Sequence, residues 1–296
     1  MNAHSSSQRG FEHVPGHSVR SEEPQAVRLD QGDAALDIVI PVYNEGDNIV
    51  RVLEALRKSV KTPFRVLICY DFDEDTTLET LRRYQETMTA GEKSGGVPIQ
   101  LVKNRRHGVH GAIVTGFEHV TAPAVVVVPA DDDYNTHIID LMFQKFQEGH
   151  DVVVASRFMP GGCMEGCRWQ KAILVRLAAF TLYHFARLPT RDASNGFRLF
   201  SRRLLETVEI ESEVGFTYSI ELLAKCQRLG WGITEVPALW FERKKGSSRF
   251  RILKWLPAYL RWYFYAFATA YLHKGPGTVL RKKAWSEMGE CQPHTL

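Results

Sequence analysis

Cysteine is scarce in this 296-residue chain, and the five present (Cys69, Cys163, Cys167, Cys226, Cys291) are scattered. An odd, dispersed set excludes a disulfide scaffold. The single C-x-x-x-C of Cys163 and Cys167 lacks the second pair that a zinc site needs, so idle thiols in a reducing compartment are expected. Long hydrophobic runs are also missing. The longest uncharged stretch of the aromatic C-terminal region, Trp262 to Leu272, has eleven residues, whereas a helix crossing a bilayer needs roughly 20. Residues up to about Asp33 are rich in Ser, His, Gln and Pro without an apolar stretch, so 1–34 is expected to be a disordered leader rather than a secretory signal or a span. No glycine-rich phosphate cradle of the GxxxxGK[ST] or GxGxxG type follows any apolar run, which argues against P-loop and dinucleotide sites.

What is present is an ordinary globular composition, 44% hydrophobic and 24% charged, at a length that buries a core of normal size. Charge is unevenly placed. Between Glu242 and Lys283 there are eleven Lys and Arg against one acid, a net +10 in a chain of net +3, so the remainder carries −7. A basic end on an acidic body suggests contact with an anionic surface. No nucleic-acid module accompanies it, so nucleic-acid binding is the weaker account.

Apolar runs alternate with helical patterns through the first half. Strands are predicted at Leu36–Pro41, Arg65–Tyr70, Pro98–Lys103, Ala124–Pro129 and Asp151–Ala155. Helices are predicted after each of the first four: one with Ile49, Leu53, Leu56 and Val60 on its apolar face, then Thr76 to about Met88, about Val109 to His119, and near Ile138–Gln147. Continuous apolar strands alternating with helices imply an α/β, doubly wound, mostly parallel sheet covered on both faces. Ligands of such sheets sit at the carboxyl ends of the strands. Here those ends are acidic: Asn44-Glu45, Asp71-Phe-Asp73-Glu-Asp75 and Asp131-Asp132-Asp133. Carboxylates at strand ends suit a hard divalent cation that bridges a diphosphate. Without one, two unit charges 4 Å apart repel by about 4 kcal/mol at an effective dielectric near 20. The bland alternative for each cluster is a solvated loop with helix caps.

Pro41-Val-Tyr-Asn-Glu45, Asp71-Phe-Asp-Glu-Asp-Thr-Thr77 and Ala130-Asp-Asp-Asp133, in this order and spacing, resemble glycosyltransferase family 2. Val154-Ala-Ser-Arg157 with Gly161-Gly162, Asp192-Ala-Ser-Asn-Gly-Phe-Arg198, and Glu235-Val-Pro237 with Arg243 and Gly246-Ser-Ser-Arg249 are similar to its polyprenyl-phosphate (dolichol-phosphate) mannosyltransferase-like members. The resemblance runs from about Leu36 to Arg251 and implies a GT-A fold over 35–250. It implies that Pro41, Tyr43 and Glu45 line the first nucleotide-binding loop, that Asp71 reads the base, and that Asp131, with Asp133, holds Mg²⁺ or Mn²⁺. It further implies that Arg157 and Arg198 face phosphates, and that Arg157, Lys171 and Arg249 serve the acceptor phosphate. The chain departs from the pattern at Tyr70 and Pro129, each standing for an Asp, and at Lys171 and Val175, standing for an Arg and a Ser.

The implied reaction moves a sugar from a GDP- or UDP-sugar to a polyprenyl phosphate with inversion. A lipid phosphate is already anionic near neutral pH, with a second pKa of about 6, so it needs no base. A hydroxyl acceptor would need one, and Asp192 is then the candidate. A third reading, a catalytically idle nucleotide-binding subunit, follows from Tyr70 and Pro129. The loop of Asn104, Arg106, Gly108 and His110 is expected near the donor, with Arg106 touching phosphate. Lys244-Lys245-Gly-Ser-Ser-Arg249 is expected to be a mobile basic loop near the site. Residues 251–275, with Trp255, Tyr259, Trp262, Tyr263, Phe264, Tyr265, Phe267 and Tyr271, read as amphipathic helices in the membrane interface, split in two at Pro257. Residues 276–296 read as a flexible tail. The protein is expected on the cytoplasmic face of the membrane, peripherally bound.

Overall fold

Side chains branched at Cβ pack well on a pleated surface, and the Val- and Ile-rich runs form strands in the computed structural model, which describes residues 34–90, 96–241 and 252–282. These are β1 (Leu36–Pro41), β2 (Phe64–Tyr70), β3 (Ile99–Lys103), β4 (Ala124–Val127) and β5 (His150–Ser156). Between them lie α1 (Gly46–Ser59), α2 (Thr76–Ala90), α3 (Gly108–Glu118) and α4 (Ile139–Gln147). All are close to the predicted spans, and Ile49, Leu53, Leu56 and Val60 are buried as the 3.6-residue period requires. The second half adds β6 (Cys163–Glu165), α5 (Trp169–His184), β7 (Arg198–Ser201), α6 (Arg202–Thr207), α7 (Thr217–Leu229), β8 (Gly232–Pro237), β9 (Leu239–Phe241) and α8 (Ile252–Tyr271).

The main sheet has the order β3-β2-β1-β4-β7-β5-β8. β1 runs parallel to β2 and β4, β2 to β3, and β5 to β8. Only β7 is antiparallel, inserted between β4 and β5. One face buries Val39, Leu67, Val125 and Phe200 against α3, α7 and α8; the other buries Ile38, Ile40 and Val153 with Leu53 and Ile139. β6 and β9 form a separate parallel pair beside the sheet.

Two expectations are corrected. Pro257 does not split the C-terminal helix: α8 runs unbroken from Ile252 to Tyr271 with the proline inside it. A proline removes one backbone hydrogen bond, but Trp262 and Ala266, buried in the core shared with α7, hold the helix together beyond it. Residues 276–282, expected to belong to a flexible tail, are fixed. Arg281 pairs with Val208, Glu209 N donates to Leu280 O at 3.1 Å, Lys282 N donates to Thr207 O at 3.0 Å, and Val279 is buried. The leader before residue 34, the basic loop of Lys244, Lys245 and Arg249, and residues 283–296 lie outside the described residues.

Candidate active site

The loops after β1 and β2 are laced together by backbone donors. Asn44 sits at φ +55° and its N–H donates to both carboxylate oxygens of Asp75 at 3.0 Å. Thr76 N donates to Asn44 Oδ1 at 3.1 Å, and Glu45 N donates to Thr77 Oγ1 at 2.9 Å. Asp75 is therefore a buried brace rather than a ligand-facing acid. Beside it, the exposed Tyr43 ring meets Phe72 edge-on, 5.2 Å between centroids. Glu45 occupies the N-cap position of α1, and its carboxylate accepts from Asn48 Nδ2 at 2.8 Å. Asp71 accepts from Asn104 Nδ2 at 2.6 Å and from Gly108 N at 2.8 Å, which ties it to the loop after β3. Pro41, Tyr43, Glu45 and Asp71 are thus gathered at the ends of two adjacent strands. Arg106, expected near phosphate, instead pairs with Glu118 at 2.7 Å. His110 is buried and shares a hydrogen bond with Ser212 Oγ at 3.1 Å.

Just past β4 the three aspartates divide. Asp132 turns inward and accepts from Asn135 N at 3.0 Å and Nδ2 at 2.8 Å. Burial pushes its pKa up to about 6, against the pull of those bonds. Asn135 in turn bridges to β9, donating to Leu239 O at 2.8 Å and accepting from Leu239 N at 2.9 Å. Asp131 and Asp133, on either side, are left partly exposed, with Arg51 Nε 3.9 Å from Asp133. Among the described residues no cluster of three His, Cys, Asp or Glu side chains is placed to hold a metal.

The carboxyl edge changes in character at β5. Arg157 follows that strand and forms a two-point ion pair with the fully buried Asp192: Nε to Oδ2 at 2.7 Å and Nη2 to Oδ1 at 2.9 Å, with Arg157 N adding a bond at 3.0 Å. Burial alone would raise the Asp192 pKa. The Arg157 charge and its hydrogen bonds override that and hold it below the usual carboxylate range. Ser194 N and Asn195 N also donate to Asp192 Oδ1, both at 3.2 Å. An occupied, acidified, solvent-free carboxylate is a poor proton acceptor, so the expectation of Asp192 as a general base is corrected. Arg198 is also corrected. It is completely buried, donates to Ser219 O at 2.5 Å and Asp192 O at 3.2 Å, and props the loop instead of facing phosphate. Burial pulls its pKa down to about 10.

Gly161 and Gly162 shape the same corner. Gly161 has φ +86°, and a Cβ on Gly162 would lie 2.5 Å from Ser156 O, so only glycine allows the chain to fold back over Arg157. Beyond it a cavity of about 580 Å³ lies against α5, lined by Arg157, Phe158, Met164, Arg176, Phe180 and Arg191 among others. Lys171 lies one turn before Val175 on α5, with Nζ 5.5 Å from the centre of the Trp240 ring. Arg249 is outside the described residues. Sequence reasoning passed over Arg176 and Arg191; for Arg176 the available signal was its place as the lone charge in the apolar run from Ala172 to Leu182. It also passed over α5 itself, whose Trp169, Ile173, Leu177 and Phe180 are exposed. Tyr263 on α8 donates to Thr181 on α5 at 2.8 Å, and α8 exposes Phe264 and Tyr271. No helix among the described residues is long and apolar enough to cross a membrane.

A mostly parallel α/β sheet of this order is a GT-A-like fold, and solved structures agree on it. Glucosyl-3-phosphoglycerate synthase from Mycobacterium tuberculosis, solved with uridine diphosphate, superposes with a TM-score of 0.56 at 17% identity, covering 80% of each chain. The same protein with Mn²⁺, uridine diphosphate and phosphoglyceric acid gives 0.54 at 18%, covering 80% of this chain and 78% of that one. The chain belongs to glycosyl transferase family 2, whose family model matches residues 37–209.

Among curated relatives, the dolichol-phosphate mannosyltransferase of Pyrococcus furiosus is 22% identical over 74% of this chain and 64% of its own length. The putative glycosyltransferase CsbB of Bacillus subtilis is 27% identical over 58% and 50%. The chain therefore spans between half and two thirds of those two proteins. The polyprenol monophosphomannose synthase of Mycolicibacterium smegmatis is 22% identical over 80% of this chain and 88% of its own length.

Proposed function

We propose that the protein transfers a sugar, with inversion, from a nucleotide diphosphate to a polyprenyl phosphate at the cytoplasmic face of a membrane. The observation that carries this reading is the change along the sheet edge, acidic from β2 to β4 and, beyond β5, lined by the guanidinium groups of Arg157, Arg176 and Arg191. A metal-bridged diphosphate fits the first half and an anionic acceptor the second. Support also comes from the names of the Pyrococcus and Mycolicibacterium relatives, a dolichol-phosphate mannosyltransferase and a polyprenol monophosphomannose synthase.

In this reading Tyr43 and Phe72 flank the base, Asp71 hydrogen-bonds it, and Pro41 and Glu45 shape the loop around it. Asp131 and Asp133 would hold Mg²⁺ or Mn²⁺. Two partly exposed carboxylates suit an ion whose remaining ligands are phosphate oxygens and water, and a neighbour solved with Mn²⁺ and uridine diphosphate supports a divalent ion. When bound, such an ion neutralises charge on the leaving diphosphate. The chain's own work is positional. Asp132 and Asn135 fix the Asp131–Asp133 turn, and Asp192, by holding Nε and Nη2 of Arg157, aims the remaining Nη1 amino group at a phosphate oxygen. Bringing two anions together in line accounts for the rate enhancement, with no proton to remove from the acceptor.

The exposed apolar side chains of α5 and α8, together with the basic C-terminal third, would seat the protein on anionic lipid. The test follows labelled sugar from a panel of GDP- and UDP-sugars into an organic-extractable product, using purified protein, metal and polyprenyl phosphate. Metal-dependent label in the lipid phase supports the proposal and identifies the donor. Label in a saccharide alone overturns the acceptor, and no turnover of any donor returns the idle-subunit reading.

A further inference from the structure

Among the described residues, the cavity against α5 holds three guanidinium groups and two counter-charges. Arg157 is neutralised by Asp192 at 2.7 Å, and Arg191 by Glu235 at 2.6 Å. Arg176 has no carboxylate within ion-pair distance among the described residues; its neighbour is the Phe158 ring, 5.5 Å from the guanidinium carbon. The cavity therefore carries one positive charge left uncompensated among the described residues, and it stands on an exposed side chain of α5. The remaining wall is mixed: Phe158, Met159, Met164, Phe180 and Tyr183 supply apolar surface beside Cys163 and His184. A free guanidinium beside aromatic and thioether groups suits a molecule that is a phosphate monoester at one end and a hydrocarbon at the other. Arg176 lies three residues after Ile173 and four before Phe180, one helical turn from each, and both are exposed. A tail leaving the cavity would continue along apolar surface rather than into water. Lys171 lies off to one side, over Trp240 and absent from the cavity wall.

We propose that this cavity is the seat of an isoprenoid phosphate and that Arg176, not Lys171, is the residue that selects its phosphate group. The inference rests on the acceptor class proposed above and assigns the residue that discriminates it. Arg157, held by Asp192, offers its remaining N–H groups to the same phosphate from the sheet side, while Arg176 approaches from the helix side. A fork is needed rather than a point charge, because two phosphate oxygens must be gripped across the mouth of an open cavity.

The experiment uses the full chain and geranyl phosphate as a water-soluble probe, with geraniol and inorganic phosphate as separate arms, read by calorimetry without donor. Expected are binding of geranyl phosphate at least tenfold tighter than either fragment, a loss of at least tenfold in Arg176→Ala, partial retention in Arg176→Lys, and a smaller loss in Lys171→Ala. In the transfer assay Arg176→Ala should raise the acceptor KM with the donor KM unmoved. Because Arg176 is exposed, its variants should keep the wild-type thermal midpoint. Equal affinity for geraniol and geranyl phosphate, or a Lys171→Ala loss exceeding that of Arg176→Ala, overturns the assignment. Tight Arg176-dependent binding in a protein that transfers no sugar to any lipid phosphate would leave the site standing and remove the proposed reaction instead.

Discussion

Arg157 and Asp192 face each other across 35 residues of sequence in a two-point pair whose carboxylate has no solvent exposure and whose guanidinium borders the cavity. Removing one member of such a buried pair leaves the other charge uncompensated, at a cost of about 3–5 kcal/mol. Asp192→Asn should lower stability by about that amount in urea titration. It should also raise the acceptor KM, because Arg157 loses its aim. A general-base role predicts a different signature, a fall in kcat with stability retained.

Asp131 carries the metal prediction. Asp131→Asn should reduce metal-dependent transfer at least a hundredfold, about 2.7 kcal/mol of barrier, and shift the metal concentration needed for half-maximal rate upward. An idle nucleotide-binding subunit would lose nothing in the pathway when Asp131 is changed.

His110 makes stability depend on pH. Burial, helped by the Arg106 charge, lowers its pKa from 6.5 to about 4. Above pH 6.5 the ring is neutral in both folded and unfolded chains. As pH falls from 6.5 toward 4 the unfolded chain takes up a proton that the folded one refuses, so stability declines through that window by about 3 kcal/mol. His110→Gln should flatten this part of a stability-versus-pH curve measured by urea unfolding.

The outer face of α5 should be needed for lipid contact and unimportant for folding. Ile173→Asp with Leu177→Asp places two charges where exposed apolar groups now stand. Partition onto anionic vesicles in a flotation assay should fall at least tenfold. Stability in solution should stay within about 0.5 kcal/mol of wild type, as for other surface changes.

The strands β1 to β5 and the helices between them could be read directly, because each is a β-branched run or a 3.6-residue stripe long enough to stand above its surroundings. β7 could not: Arg198-Leu-Phe-Ser201 is four residues long, and it becomes a strand only through β4 and β5 on either side. The site was partly readable. The three acidic turns fall at one edge as expected, but which carboxylate turns inward depends on distant partners. Asp75 is claimed by Asn44, and Asp132 by Asn135, which also holds β9. The same holds for Arg198, whose burial is set by α7 packing over it through Ser219. Local sequence carries charge and spacing, whereas the direction a side chain faces is decided by chain that arrives later.

The insertion of β7 between β4 and β5 also dictates an order of assembly. β1, β2, β3 and β4 pair among themselves and can form as soon as residue 127 is available. β5 has no partner at that stage, since both its neighbours, β7 and β8, lie downstream. Until residues 198–201 dock, β4 presents an open edge and β5 an unpaired ribbon, the arrangement most prone to pairing with another chain. A nascent or truncated polypeptide ending before Arg198 would hold its acidic half together while leaving Arg157 with no sheet to stand on, and would invite aggregation rather than partial activity.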